Sequence, residues 1–121
     1  MKLKNVLLVV NDIEKSVKFY RELFGLQVLM RQEGNIILTE GLVLQDKKIW
    51  RECLEQKIFC PNYAMLLYFE EKNISCFWEK LSLYENEIQI ISPIEQNEYG
   101  QKMIRVSDLD GHIIEVRTPM L

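Results

Sequence analysis

The order strand, helix, three strands occurs twice in this chain, once in each half, and no other feature narrows its fold so far. The run Val6-Leu7-Leu8-Val9-Val10 is too short for a helix and rich in β-branched residues, and the polar pair Asn11-Asp12 closes it. Leu3 to Val10 is therefore expected to be a strand. Asp12 is a favourable N-cap, and Ile13, Val17, Tyr20 and Phe24 recur at spacings of four, three and four. Gly25 then stands where a helix can end in the left-handed region. Leu26 to Arg31, Asn35 to Thr39 and Leu42 to Gln45 follow as three short runs. Glu33-Gly34 and Glu40-Gly41 separate them, as in strands linked by hairpins.

A mostly charged stretch, Asp46 to Gln56, keeps Ile49, Trp50, Cys53 and Leu54 at helical spacing and ends near Pro61-Asn62. The order then starts again. Ala64 to Glu70 reads as a strand, and Asn73 caps a helix with Ile74, Phe77, Trp78 and Leu81 on its apolar side. Ile88 to Ile91, Lys102 to Val106 and His112 to Val116 read as strands, the last two joined through Asp110-Gly111. A shift of about sixty-one residues lays Leu66 over Asn5 and Asn73-Ile74 over Asp12-Ile13. At the module ends Gly41 to Gln45 falls on Gly111 to Glu115, which matches Gln45 with Glu115. The fold class expected is α+β, a single domain over residues 1–121. Its two βαβββ modules span 1–45 and 62–121, joined by a short helical connector, 46–61.

A chain of 121 residues is long enough for one well-buried core. Fifteen Lys and Arg against eighteen Asp and Glu give a net charge of −3, the wrong sign for a protein that neutralises phosphates, so no nucleic acid partner is expected. The apolar run near the start is five residues, where a spanning helix needs about twenty, and it is too short for a signal peptide's apolar region, so no membrane partner is expected either. Three cysteines with one histidine cannot form the quartet of a structural zinc site, and reduced thiols suit a cytoplasmic protein. No Gly-rich phosphate loop, GxSxG or HExxH is present to support nucleotide binding, serine hydrolysis or zinc proteolysis.

Two stretches carry a resemblance. One is Val10-Asn11-Asp12-Ile13-Glu14-Lys15-Ser16-Val17-Lys18-Phe19-Tyr20 followed by Gly25-Leu26. The other runs from Tyr99-Gly100 through Asp108-Leu109-Asp110-Gly111-His112-Ile113-Ile114-Glu115-Val116. With the paired modules, they make the chain resemble the vicinal oxygen chelate superfamily, the glyoxalase and bleomycin-resistance group, over nearly its whole length. The resemblance implies a half-open barrel around one cavity and a homodimer. It also implies a divalent metal in members that do chemistry, held by His or Gln near the first strand, Glu or another ligand on the fourth, His on the fifth and Glu on the eighth. The equivalents here are Asn5, Gln45, Leu66 and Glu115. Only Glu115 keeps the usual ligand, two neutral amides are weak ligands, and Leu66 offers none. No cofactor is therefore expected, and any divalent metal would rest on Asn5, Gln45 and Glu115.

Glu115, between Ile114 and Val116, is placed where a carboxylate needs a donor, supplied either by Arg105 or Arg117 or by a ligand. Asn5 and Gln45 are amides that either meet water at strand ends or face the cavity. Trp50 either covers the cavity mouth or anchors a dimer, and Phe59, Tyr63, Tyr68 and Met103 are wall or core residues. Trp78 is expected to pack between helix and sheet, and His112, of opposite parity to Glu115, to face away from it. The ligand-binding set expected is Asn5, Gln45, Trp50, Phe59, Leu66, Tyr68, Met103, Arg105 and Glu115. No catalytic residue is assigned, Glu115 being the one an enzyme would use.

The leading functional expectation is a metal-independent protein that captures a small organic molecule, as in the drug-sequestering branch, with a neutral or cationic guest favoured by the acidic balance. One alternative is a metal-dependent glyoxalase-like lyase or isomerase, or a dioxygenase, using Asn5, Gln45 and Glu115. The other is an interaction module whose cavity is closed by its own side chains.

Overall fold

Asp12 and Gly25 bound the first helix at the positions their chemistry favours. The Asp12 carboxylate accepts the Lys15 amide at 3.1 Å, and Gly25, at φ 69°, takes the left-handed turn that ends the helix. The computed structural model describes residues 1–51 and 64–120. They belong to two units, Met1–Phe59 and Cys60–Leu121, each built on one four-stranded sheet. Most of the connector, with Cys53, Leu54 and Phe59, lies outside the described residues, as does Tyr63 just after it.

The first unit contains β1 (Val6–Val10), α1 (Ile13–Phe24), β2 (Val28–Gln32), β3 (Asn35–Leu38), β4 (Leu42–Asp46) and the short α2 (Lys47–Arg51). Its strand order is β1-β4-β3-β2, with β1 and β4 parallel and the other pairs antiparallel. The first strand runs from Val6 rather than Leu3, and α1 supplies the crossover that parallel pairing requires. One face of the sheet carries Leu8, Val10, Ile36, Leu38, Leu42 and Leu44, all buried. α1 packs against β4 on a face wider than a single stripe, burying Ser16, Phe19 and Leu23 as well as Val17 and Tyr20. Phe19 meets Tyr20 edge-on, ring centroids 5.0 Å apart.

The second unit contains β5 (Leu66–Glu70), α3 (Ile74–Lys80), a turn of 3₁₀ helix (Leu81–Tyr84), β6 (Ile90–Gln96), β7 (Lys102–Ser107) and β8 (Ile113–Arg117). Its order, β5-β8-β7-β6, repeats that of the first, again with a parallel β5–β8 pair. The Asn73 side chain caps α3 by accepting the Cys76 amide at 3.1 Å. The core face carries Ile104, Val106, Ile114 and Val116, none more than 1% exposed, and Ile74, Phe77, Leu81 and Tyr84 are also buried. That stripe leaves Trp78 out. Trp78 is 37% exposed because the buried spacing continues from Phe77 to Leu81 and then Tyr84, so the core packing expected for Trp78 is not observed. β6 also starts later and runs further than the expected Ile88 to Ile91, with register shifts that bracket Ser92.

Candidate functional site

In the second unit, strand alternation divides the sheet into a core face and an open one, and chemistry-bearing residues gather on the open face. Register places Tyr68 beside Glu115 and Glu115 beside Arg105, while Leu66 pairs with Ile113 and Met103 with Arg117. Leu66, Tyr68, Met103, Arg105, Glu115 and Arg117 therefore share one side of one sheet. Five of the nine residues expected in the ligand set fall there.

Glu115 is the centre of this face. It is 4% exposed, and each of its oxygens is taken. Arg105 Nε donates to Oε1 at 2.6 Å from the neighbouring strand, and Arg117 Nε donates to Oε2 at 2.8 Å from two residues along the same strand. Burial alone would raise the Glu115 pKa, but the bonds from Arg105 and Arg117 and their charges outweigh it and hold the carboxyl below its ordinary value. Arg117 lies over the Tyr68 ring, its guanidinium carbon 5.3 Å from the centroid. Its Nη1 also reaches Gln101 Oε1 at 3.5 Å. Gln101 is itself 3% exposed and fixed, donating to the Thr118 carbonyl at 2.9 Å and accepting from Asn97 at 3.1 Å. Arg117 is thus held on three sides, whereas Arg105 has a 42% exposed side chain and makes only its Nε bond among the described residues.

In the first unit, Gln45 lies on the face opposite α1, half-buried, and donates to Asn35 Oδ1 at 3.0 Å. Asn5 is half-buried just before β1, its Oδ1 3.9 Å from where a Cβ on Gly41 would stand. Trp50 is in α2, and Phe59 lies outside the described residues. The match of Gln45 with Glu115 shifts by two residues. With the helix caps Asp12 and Asn73 superposed, Tyr68 falls on Leu7, and their ladder partners are Glu115 and Val43. The sequence match failed because it followed the Gly-led turns, whose spacing from the helix caps differs between the modules.

These residues do not fit the divalent metal that the resemblance implies. A cation at Glu115 would have to displace a guanidinium from an oxygen that already has a charged partner, and Leu66, on the same sheet, brings no donor atom.

A second cluster was not singled out from the sequence. Asp108, Asp110 and His112 bring one ligand atom each to within 4.8 Å of one another, and their spacing of two is the signal that could have found them. Asp108, 2% exposed, has turn work to do: Oδ1 accepts the amides of Asp110 and His112 at 2.9 and 2.8 Å, and Oδ2 bonds His112 Nδ1 at 2.7 Å. Burial would lower the His112 pKa, but the bond to Asp108 and the charges of Asp108 and Asp110 prevail and raise it. This arrangement ties the β7–β8 turn.

Comparison with known proteins matches residues 3–121 to the family described as Glyoxalase-like domain. The chain is 30% identical over 116 residues to the metallothiol transferase FosB of Staphylococcus epidermidis, covering 93% of this chain and 79% of that one. A crystal structure of a protein of unknown function from Agrobacterium tumefaciens superposes with a TM-score of 0.81 at 28% identity, covering 99% of this chain and 95% of that one. A glyoxalase/bleomycin resistance protein/dioxygenase family enzyme from Burkholderia phytofirmans superposes with a TM-score of 0.76 at 17% identity, covering 95% of this chain and 96% of that one.

Proposed function

We propose that this chain, which belongs to the glyoxalase-like domain family of the vicinal oxygen chelate superfamily, binds a small organic molecule on the open face of its second sheet without a metal. The observation that carries this reading is the double engagement of Glu115 by Arg105 and Arg117, which answers the carboxylate's charge from within the protein. What remains for a guest is the exposed part of the face. Tyr68 is 54% exposed and Leu66 45%, and they offer aromatic and apolar surface, while Arg105 offers directional donors. Capture would be stoichiometric, by a cytoplasmic homodimer.

The competing reading, a metal-dependent enzyme, draws support from the name of the FosB relative and from the retained Glu115. It asks for a metal at a carboxylate whose two oxygens are occupied, and it is the weaker reading for that reason. The test is to titrate the protein with a panel of aromatic and polar small molecules while following backbone amide resonances. Shifts concentrated on β5, β7 and β8 are expected. A panel that moves no resonance on those strands would overturn the proposal.

A further inference from the structure

At the centre of the open face, around Glu115, the local charge is opposite in sign to that of the whole chain, although the face with its exposed Glu70 and Glu95 is not positive as a sum. The chain has a net charge of −3. Around Glu115, however, two guanidiniums answer one carboxylate, leaving one positive charge in excess at the centre. The other carboxylates of this face, Glu70 beside Arg117 and Glu95 beside Met103, are solvent-exposed, where water screens them. The exposed partner of the two arginines is Arg105. Its Nε is committed to Glu115, which fixes the guanidinium plane. The terminal Nη donors stay available among the described residues, in the planar fork that fits two oxygens of one anion. Tyr68, two strands away across Glu115, supplies a half-exposed ring on the same side.

We infer that Arg105, oriented by Glu115, is the recognition group for a small-molecule oxyanion, a carboxylate attached to an apolar or aromatic body. The neutral or cationic guest favoured by the overall charge is replaced by an anionic one, because recognition at contact distance follows the local groups rather than the sum over a screened surface. Arg105 here takes the electrostatic part that a cation would play toward paired oxygens. Glu115 is a positioning residue. The inference rests on the small-molecule reading above.

The experiment uses three matched series on phenyl, naphthyl and indolyl rings: arylacetates, the corresponding arylacetamides and the arylethylammoniums. Each is titrated calorimetrically into the wild-type chain, Arg105→Gln and Arg105→Lys, with inorganic phosphate as a competitor. Arylacetates are expected to bind at least about tenfold tighter than their amides, with the ammoniums weakest. Arg105→Gln should erase that preference by weakening the acetates more than the amides, and Arg105→Lys, which keeps the charge and loses the fork, should restore only part of it. Phosphate displacing the arylacetates at lower concentration than free acetate would keep the oxyanion and assign it a tetrahedral shape. Amides or ammoniums binding as tightly as acetates to the wild type would overturn the inference and leave the small-molecule reading standing. Binding of no series would remove both. The wild-type comparison decides the matter even if a variant does not fold.

Discussion

Arg105 and Glu115 are direct partners across β7 and β8, Nε to Oε1 at 2.6 Å, with the acid buried and the base half in water. The asymmetry sets what each side contributes. A charge removed from the buried side leaves two arginines that can rehydrate, whereas charges removed from the exposed side strand a carboxylate in the protein interior.

Glu115→Gln is accordingly expected to cost about 1–3 kcal/mol, the loss of two charge-assisted bonds offset in part by rehydration of Arg105 and Arg117. Its pH dependence has a definite sign. The folded-state pKa of Glu115 is lowered from 4.5, so its contribution is present above that value and lost as pH falls through the lower, folded value. Urea unfolding at pH 6 and at pH 3 should show the wild type losing more stability than Glu115→Gln over that interval. Equal losses would mean that the pair is energetically silent.

Removing both bases is expected to be worse than removing the acid. Arg105→Ala or Arg117→Ala leaves one oxygen of Glu115 bonded, but the double variant leaves neither, and the second deletion should cost more than the first. A total of about 3–5 kcal/mol is expected. A double-mutant cycle checks this; strict additivity would show that the two guanidiniums act independently on the carboxylate.

His112 gives the opposite dependence. Its folded-state pKa is raised above 6.5, so the stabilisation from charged His112 against Asp108 is fully present below 6.5 and lost as pH rises through the folded value. The difference in melting temperature between wild type and His112→Gln should be larger at pH 5.5 than at pH 8.5. A difference that does not change, or that grows toward pH 8.5, would contradict the ion pair.

Much of the fold was legible because local chemistry and global pattern agree. Asp12, Gly25 and Asn73 mark helix ends by hydrogen bonding and backbone geometry that need no tertiary partner. Removing Asp12 with Asp12→Ala should cost about 1 kcal/mol in chemical denaturation, and a cost near zero would show that packing alone holds α1. What failed depended on non-local geometry. Trp78 was misplaced because composition does not state which side of a short helix the sheet covers. Gln45 was matched to Glu115 because the ladder register between β1 and β4 is set by pairing that no single segment encodes. The Arg105–Glu115–Arg117 set was visible as residue types, but whether the arginines answer the acid or leave it to a ligand is settled only by strand order.

That answer bears on metals. A ligand that binds the folded chain alone at a hundred times its Kd adds about 2.7 kcal/mol of stability. For a chain of this size that corresponds to a rise of about 10 °C or more in melting temperature. Because both Glu115 oxygens are bonded to guanidinium, millimolar manganese, nickel or zinc should leave the wild-type melting temperature unchanged, and treatment with a chelator should not lower it. A weak shift that survives in Glu115→Gln and disappears in His112→Gln would locate a cation at the Asp108, Asp110, His112 turn instead. A rise of several degrees that is lost in Glu115→Gln would mean that a metal displaces an arginine, and the enzyme reading would then take precedence over capture.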